Sequence, residues 1–477
     1  MILVISIGLV GLGVGSTFAM FTASSKIDNP ISFTAGIFGE SDVMETVEIT
    51  VSAGETKATN IYVTNSTNSN LNYVMWYIDE GLDIELGSKR TDSGTYQTTI
   101  DAGEEHKYEV SIRNNSSSSV TVVVGVSSGT GSVTLNSDMK MVPQSELKLT
   151  LASVITNLYI SSTKTPVTNN SITYQYDTKN NLMQDTAGNI RYYGASPNNY
   201  VYFNCDSYPS TNCELWRIIG VFDGKIKLMR NESIGNYSWD TSASSVNSGY
   251  GVNEWSQADL MKLLNPGHES ESVGGSLYYN SKSGGTCYSG RSNATISCNF
   301  TSKGIKNDTT RNMIAETTWN LGGLDTSKIF SNEMYEKERG TTTVSNPKDG
   351  ITRATTWTGK IALAYPSDYG YATDLSKCSQ ILDNYDSSTD SYACRSNDWM
   401  YSIITNSGRN IGWLLPPDSG NSGNANFAFY VDSSGFVLNY NLVSNAAGVA
   451  PVLYLGSNQD IVSGDGLQSN PYQLANS

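Results

Sequence analysis

Few residues in this chain have the types and spacing that catalysis needs. His106 and His268 are the whole imidazole complement. Two histidines exclude a three-imidazole zinc site within one chain, and a Ser-His-Asp triad would have to use one of them. His268 lies in Gly267-His268-Glu269-Ser270-Glu271, the composition of a solvated polar loop. No phosphate-binding loop, HExxH or EF-hand pattern occurs. No spacing singles out a carboxylate pair for glycoside hydrolysis. The expectation is a protein that is not an enzyme.

The cysteines point to structure rather than reactivity. Cys205, Cys213, Cys287, Cys298, Cys378 and Cys394 fall into three sequence-adjacent pairs, and none forms a C-x-x-C. An even count reads as disulfides, with a connectivity that sequence does not fix. Local pairing, 205 with 213, 287 with 298 and 378 with 394, is expected, each bridge stapling one polar loop.

Groups suited to binding gather near the C-terminus. Phe427 to Asp432 and Phe436 to Val443 read as a hairpin around Ser433-Ser434-Gly435. Period-two alternation puts Phe436, Leu438, Tyr440 and Leu442 on one face and Asn439 and Asn441 on the other. Tyr430, Asn439 and Asn441 then form a polar face, with Asn424, Asn426 and Asn445 in flanking loops. Rings stack on apolar faces and amides both donate and accept, a combination suited to a glycan or a protein surface.

The elements that must position these residues divide the chain near residue 145. From Val43 to Val126, period-two runs such as Val47, Ile49, Val51 and Tyr108, Val110, Ile112 alternate with turn clusters. That pattern predicts an all-β immunoglobulin-like sandwich over 20–145. Leu147 to Ile160 has helical spacing, and Ser161 to Asn170 reads as a linker, so 146–188 is expected to be helix and linker. Leu215 to Val221, the Asp223-Gly224 turn and Lys225 to Met229 predict a hairpin. Trp255 to Leu264 and Lys306 to Leu321 are helix candidates. The second domain, 189–456, is therefore expected to be α+β with three disulfide-tied loops, ahead of a polar tail at 457–477.

The N-terminus reads as an address. Residues 2–14 are almost wholly apolar but too short for a confident span, so 1–19 is expected to be a signal peptide cut between Ala19 and Met20. Thr17-Phe18-Ala19-Met20-Phe21-Thr22, followed by Ile31-Ser32-Phe33-Thr34-Ala35-Gly36, resembles the start of camelysin/TasA-type matrix proteins. That resemblance implies processing by a dedicated signal peptidase and a segment 20–40 able to donate a strand to a neighbour. Ile37 departs from the Thr or Ser usual there.

Further resemblances lie in the C-terminal half. Trp413-Leu414-Leu415-Pro416-Pro417, the 427–443 hairpin and Gly448-Val449-Ala450-Pro451-Val452-Leu453 are similar in order to the end of C-type-lectin-like domains of the formylglycine-generating-enzyme type. Leu415-Pro416 and Ala450 replace polar residues usual in that pattern. Asn199 to Cys205, Cys213 to Ile219, Trp357 to Lys360 and Tyr365-Pro366-Ser367-Asp368-Tyr369-Gly370-Tyr371-Ala372 resemble an uncharacterised family of exported Gram-positive gut-bacterial proteins. Asn397-Asp398-Trp399 is similar to the calcium-binding W-N-D of C-type lectins with its order altered. No cofactor is expected, and calcium is the one candidate.

Composition agrees with export and excludes one class of partner. The 477 residues carry 30 Lys and Arg against 45 Asp and Glu, a net charge of −15. Binding a nucleic-acid backbone needs clustered cations, and this chain has the opposite balance. The expected protein is secreted or held at the cell surface, an adhesin or lectin-like binder of a glycan or protein ligand. A structural subunit of a biofilm matrix or fibre, self-assembling through the N-terminal segment, is the alternative; an enzyme with an unrecognised site is the other.

Overall fold

A computed structural model describes residues 19–475 apart from 24–30, 36–42, 66–70, 79–82, 87–97, 115–116, 130–149, 244–247, 386–391, 407, 421–424 and 457–458. The chain is β-rich and folds as two units, 1–162 and 163–477. The expected signal peptide lies outside the described residues except for Ala19, where the strand Ala19–Ala23 begins.

The N-terminal unit holds nine strands in two sheets among its described residues. One sheet runs, in spatial order, Ala19–Ala23, Val43–Val51, Val120–Gly129, Leu71–Ile78, Thr98–Ile100; the other runs Ile31–Ala35, Thr56–Asn65, Glu105–Arg113, Asp83–Leu86. Ile49, Val51, Val63, Ile100 and Ile112 are fully buried, as the period-two runs require.

This unit carries an internal repeat. Val51-Ser52-Ala53-Gly54-Glu55 recurs 49 positions later as Ile100-Asp101-Ala102-Gly103-Glu104, and Asn65 recurs as Asn114. Each asparagine clasps the turn of the opposite repeat. Asn65 N donates to Glu104 O at 2.9 Å and Gly103 N to Asn65 O at 3.0 Å; Asn114 N donates to Glu55 O at 2.9 Å and Gly54 N to Asn114 O at 3.0 Å. Their buried side chains follow suit, Asn65 Nδ2 donating to Ile100 O at 3.1 Å and Asn114 Nδ2 to Val51 O at 2.8 Å. In the strand pairing, residue 60 faces its own repeat mate 109, and residue 76 faces 125. A pseudo-twofold axis therefore passes through both sheets. Gly54 and Gly103 share the same left-handed φ, 72° and 76°, which their turns require.

The helix Leu151–Ser161 is capped by Thr150, whose hydroxyl accepts from Ser153 N at 3.2 Å, and it buries Leu151, Ile155 and Tyr159 at helical spacing. It groups with the N-terminal unit.

The C-terminal unit is organised by Glu214–Phe222, which pairs with Ile190–Tyr192, Tyr200–Phe203 and Lys225–Arg230 in one eleven-stranded sheet. Asp223 and Gly224 both take positive φ, 49° and 73°, the turn expected between the two long strands. A second sheet runs Asn236–Ser238, Ala446–Gly448, Gly412–Pro417, Phe427–Val431, Val437–Leu442, so the terminal hairpin ends at its edge.

Four expectations are corrected here. The stretch expected as linker up to 188 instead forms the strands Thr165–Asn169, Ile172–Asp177 and Leu182–Gln184 of the large sheet. Asn170 and Ser171 make its turn with positive φ, and Tyr174, Tyr176 and Met183 pack with Tyr193, Tyr371 and Leu375. The polar tail at 457–477 contributes Ile461–Ser463 and Tyr472–Leu474, the latter pairing parallel with Tyr200–Phe203 because Tyr472 and Leu474 are buried. The helix expected at 306–321 is short, Asp308–Met313, and gives way to the strand Thr317–Asn320, where two threonines and a tryptophan favour extended backbone. The helix expected at 255–264 starts as a single tight turn, Trp255–Gln257, and becomes α-helical over Asp259–Leu264.

Candidate functional site

The terminal hairpin pairs as expected, Val431 opposite Val437 and Ala428 opposite Asn441, but the register shifts between Ala428 and Tyr430. The period-two faces are those of the sequence; which one points inward is reversed. Val437 and Asn441 are buried, whereas Tyr440 is 59% exposed. Of the expected ligand-binding residues, Asn426, Tyr430 and Asn441 are buried, Asn439 is half-buried and Asn445 is exposed. Asn424 lies outside the described residues.

Those residues form a support rather than a rim. Asn445 Nδ2 donates to Asn441 Oδ1 at 2.8 Å, while Asn426 Oδ1 and Asn441 Nδ2 are buried without a partner among the described residues. Tyr430 stands edge-on beneath Tyr440, with ring centroids 5.9 Å apart. Burial, then the adjacent Tyr440, pushes the Tyr430 hydroxyl above its ordinary range.

At the hairpin's turn a second aromatic group is assembled that the sequence reading did not pick out. Asp432 Oδ1 accepts from Ser434 N and Phe436 N at 2.8 and 2.9 Å, closing the turn. Ser433 O accepts from Tyr401 Oη at 2.6 Å and from Arg395 Nη1 at 3.0 Å. The Arg395 guanidinium lies 3.9 Å from the ring centre of Tyr392, which is 52% exposed at a φ of 81°. Left-handed backbone is uncommon for a bulky residue, and this one lies two positions before the bridged Cys394. Gly435 is required as well, because a Cβ there would stand 3.0 Å from Arg395 Cβ at a φ of 91°.

Asn397, Asp398 and Trp399 have structural partners. Asp398 caps the helix Trp399–Thr405 through Met400 N at 2.7 Å and accepts from Thr373 Oγ1 at 2.8 Å. Trp399 Nε1 donates to Tyr192 O at 3.0 Å, and Asn397 Nδ2 to Ala393 O at 2.7 Å. Among the described residues no three His, Cys, Asp or Glu side chains converge as metal ligands. The two histidines belong to different units.

A buried ion-pair cluster lies against the large sheet, in residues not expected to matter. Arg191 Nε meets Asp185 Oδ2 at 2.6 Å, Arg191 Nη1 meets Asp368 Oδ1 at 2.9 Å, and Lys227 Nζ meets Asp368 Oδ2 at 2.5 Å; all four side chains are essentially inaccessible. Burial pulls Lys227 down to about 8 against the pull of Asp368, whereas Lys227 and Arg191 together hold Asp368 below its ordinary range despite its burial. Beside them Glu338 accepts from Ser367 N at 2.8 Å and Ser367 Oγ at 2.5 Å, and burial pushes it up to about 7. The available signal was Arg191 and Lys227 standing within otherwise buried strands, Ile190–Tyr192 and Lys225–Arg230.

A second carboxylate pair sits elsewhere in this unit. Asp240 accepts from Val252 N at 2.7 Å and Asp259 N at 3.2 Å, and Asp259 accepts from Thr241 N at 2.9 Å. Burial raises both above the ordinary carboxylate range, and for Asp240 the adjacent Asp259 adds to the rise.

The expected disulfides are all present: Cys205–Cys213, Cys287–Cys298 and Cys378–Cys394. Such bridges persist in oxidising compartments. Among the described residues no helix is long and apolar enough to cross a membrane.

No family model and no curated protein matches the sequence. Among solved structures, the crystal structure of Salmonella Typhimurium PliG, a periplasmic inhibitor of g-type lysozyme, is similar over 21% of this chain and 99% of its own. The identity is 11% and the TM-score 0.15, a likeness too small to inform fold or function.

Proposed function

We propose that this chain is an exported binding protein, in which a C-type-lectin-like unit recognises a glycan or protein ligand and an immunoglobulin-like unit carries it. The observation that carries the reading is the exposed Tyr440, braced edge-on by Tyr430 on the edge hairpin. An exposed ring held by a buried one is a rigid platform: it loses little side-chain entropy when a sugar face or an apolar side chain stacks on it. Tyr392 and Arg395, tied to the hairpin's turn through Ser433, place a second exposed ring and a cation at that turn. The three disulfides support an extracellular setting, and the two-sheet organisation of the N-terminal unit supports the sandwich.

The test is the oxidised full-length protein on a glycan and surface-protein array, with calcium and then with EDTA. Saturable binding is expected, falling at least tenfold in Tyr440→Ala while the melting temperature stays put. Binding indifferent to Tyr440→Ala and Tyr392→Ala would remove this surface from consideration, and sensitivity to EDTA would assign calcium a role.

A matrix or fibre subunit is the second reading, favoured by the strand Ala19–Ala23. It begins at the expected cleavage point and occupies a sheet edge, parallel to Val43–Val51, the kind of edge at which strands exchange between copies. Deleting residues 20–40 should then abolish concentration-dependent assembly.

A further inference from the structure

Lys227 buries its ammonium among aromatic rings that leave it short of hydrogen-bond acceptors. Its Nζ lies 4.4 Å from the ring centre of Tyr365, 5.3 Å from Phe222, 5.4 Å from Tyr454 and 5.6 Å from Trp319, all buried. Three N–H donors meet four rings and, among the described residues, one hydrogen-bond acceptor, Asp368 Oδ2 at 2.5 Å. The ring faces attract the cation but offer its N–H groups no lone-pair acceptor, so an amide nitrogen, with a single N–H, leaves fewer donors unmet there. Burying a full ion pair out of water is costly even when the geometry is good, and joining the two groups covalently removes both charges together. The remainder, Arg191 with Asp185, stays electrically balanced.

We propose that Lys227 and Asp368 condense to an intramolecular isopeptide bond. The ammonium passes a proton to the carboxylate, and the neutral Nζ attacks Cγ. Oδ1 takes the developing negative charge where Arg191 Nη1 already donates to it at 2.9 Å, as a preorganised oxyanion donor does. The C–Oδ2 bond breaks, Oδ2 leaves with two protons as one water, and Nζ keeps one hydrogen. No oxidant, reductant or activated donor is consumed. Nucleophile and carbonyl carbon are held in contact by the fold, so the reaction is intramolecular and its entropy cost was met on folding.

The bond supplies what the disulfides do not. They span sequence separations of 8, 11 and 16, each closing one loop. Lys227 and Asp368 are 141 residues apart, on the strand Lys225–Arg230 and in the first turn of the helix Pro366–Ala372. The link ties the large sheet to the helix packed on it, and it survives reduction.

The experiment is the intact mass of the full chain, denatured and reduced, with its N-terminus read from a proteolytic digest. The expected mass is one water below the sequence mass, with a branched peptide joining the segments that carry Lys227 and Asp368. The Lys227→Arg variant should return to its full sequence mass. A wild-type mass with no water missing overturns the proposal, as does a water loss confined to a linear peptide carrying residue 368. The wild-type measurement decides by itself even where the variant fails to fold.

Discussion

Single residues in the C-terminal unit carry the sharpest electrostatic consequences. Asp240 and Asp259 hold protons more tightly in the folded chain than the ordinary value of 3.8 allows, because burial penalises their charge. A carboxylate raised on folding contributes stability that is complete near pH 4 and is lost as pH climbs through its folded value. In Asp259→Asn the amide oxygen still accepts from Thr241 N, one titration disappears and Asp240 loses its like-charged neighbour. The variant should exceed the wild type by roughly 2 kcal/mol at pH 8, a gain that shrinks toward pH 4. Denaturant titrations of both proteins at several pH values measure it; parallel pH curves would refute the assignment. The period-two alternation of 436–443 was readable at this scale. Its inward side was not, because that depends on what the rest of the sheet packs against Val437 and Asn441.

Elements show a regularity that pattern reading overlooked. The two clasps built by Asn65 and Asn114 are related by the pseudo-twofold axis, so their energetics should match. Asn65→Ala and Asn114→Ala each remove one buried and one part-buried side-chain hydrogen bond to main-chain carbonyls, Ile100 and Asp101 in one case, Val51 and Ser118 in the other. At about 1 kcal/mol per bond, each variant should lose roughly 2–3 kcal/mol, the two values agreeing within experimental error. Urea unfolding of the N-terminal transition reads it, and a large inequality would show that the repeat is one of sequence without shared energetics. The signal for this clasp was in the chain, as the recurring Ser-Ala-Gly-Glu and Asp-Ala-Gly-Glu turns. Local strand patterns identify strands one at a time, whereas a repeat appears only when distant segments are laid over each other.

Across the whole molecule, every cysteine falls in the C-terminal unit and none in the N-terminal one. A reductant should therefore lower the thermal transition of the C-terminal unit and leave the other where it was. The cost of opening a loop the size of the 378–394 bridge is about 3 kcal/mol. Calorimetry with and without reductant separates the two, and equal shifts in both transitions would contradict independent units. Reduction should also weaken ligand capture, because the bridged Cys394 stands between Tyr392 and Arg395 in the chain.

The sequence by itself determined what local rules govern: the β-rich alternation, the Asp223-Gly224 hairpin, a helix within 147–160 and the three cysteine pairs that lie close along the chain. Those features depend on side-chain period, turn chemistry and short loop closure, all legible within a dozen residues. Only the tertiary structure decided which hairpin face is exposed, that 165–184 and 461–474 complete the large sheet, and that Arg191, Lys227 and Asp368 meet. The physical reason is common to all three. Burial and charge pairing are set by contacts between segments more than a hundred residues apart, such as Lys227 with Asp368, and no local pattern encodes the partner.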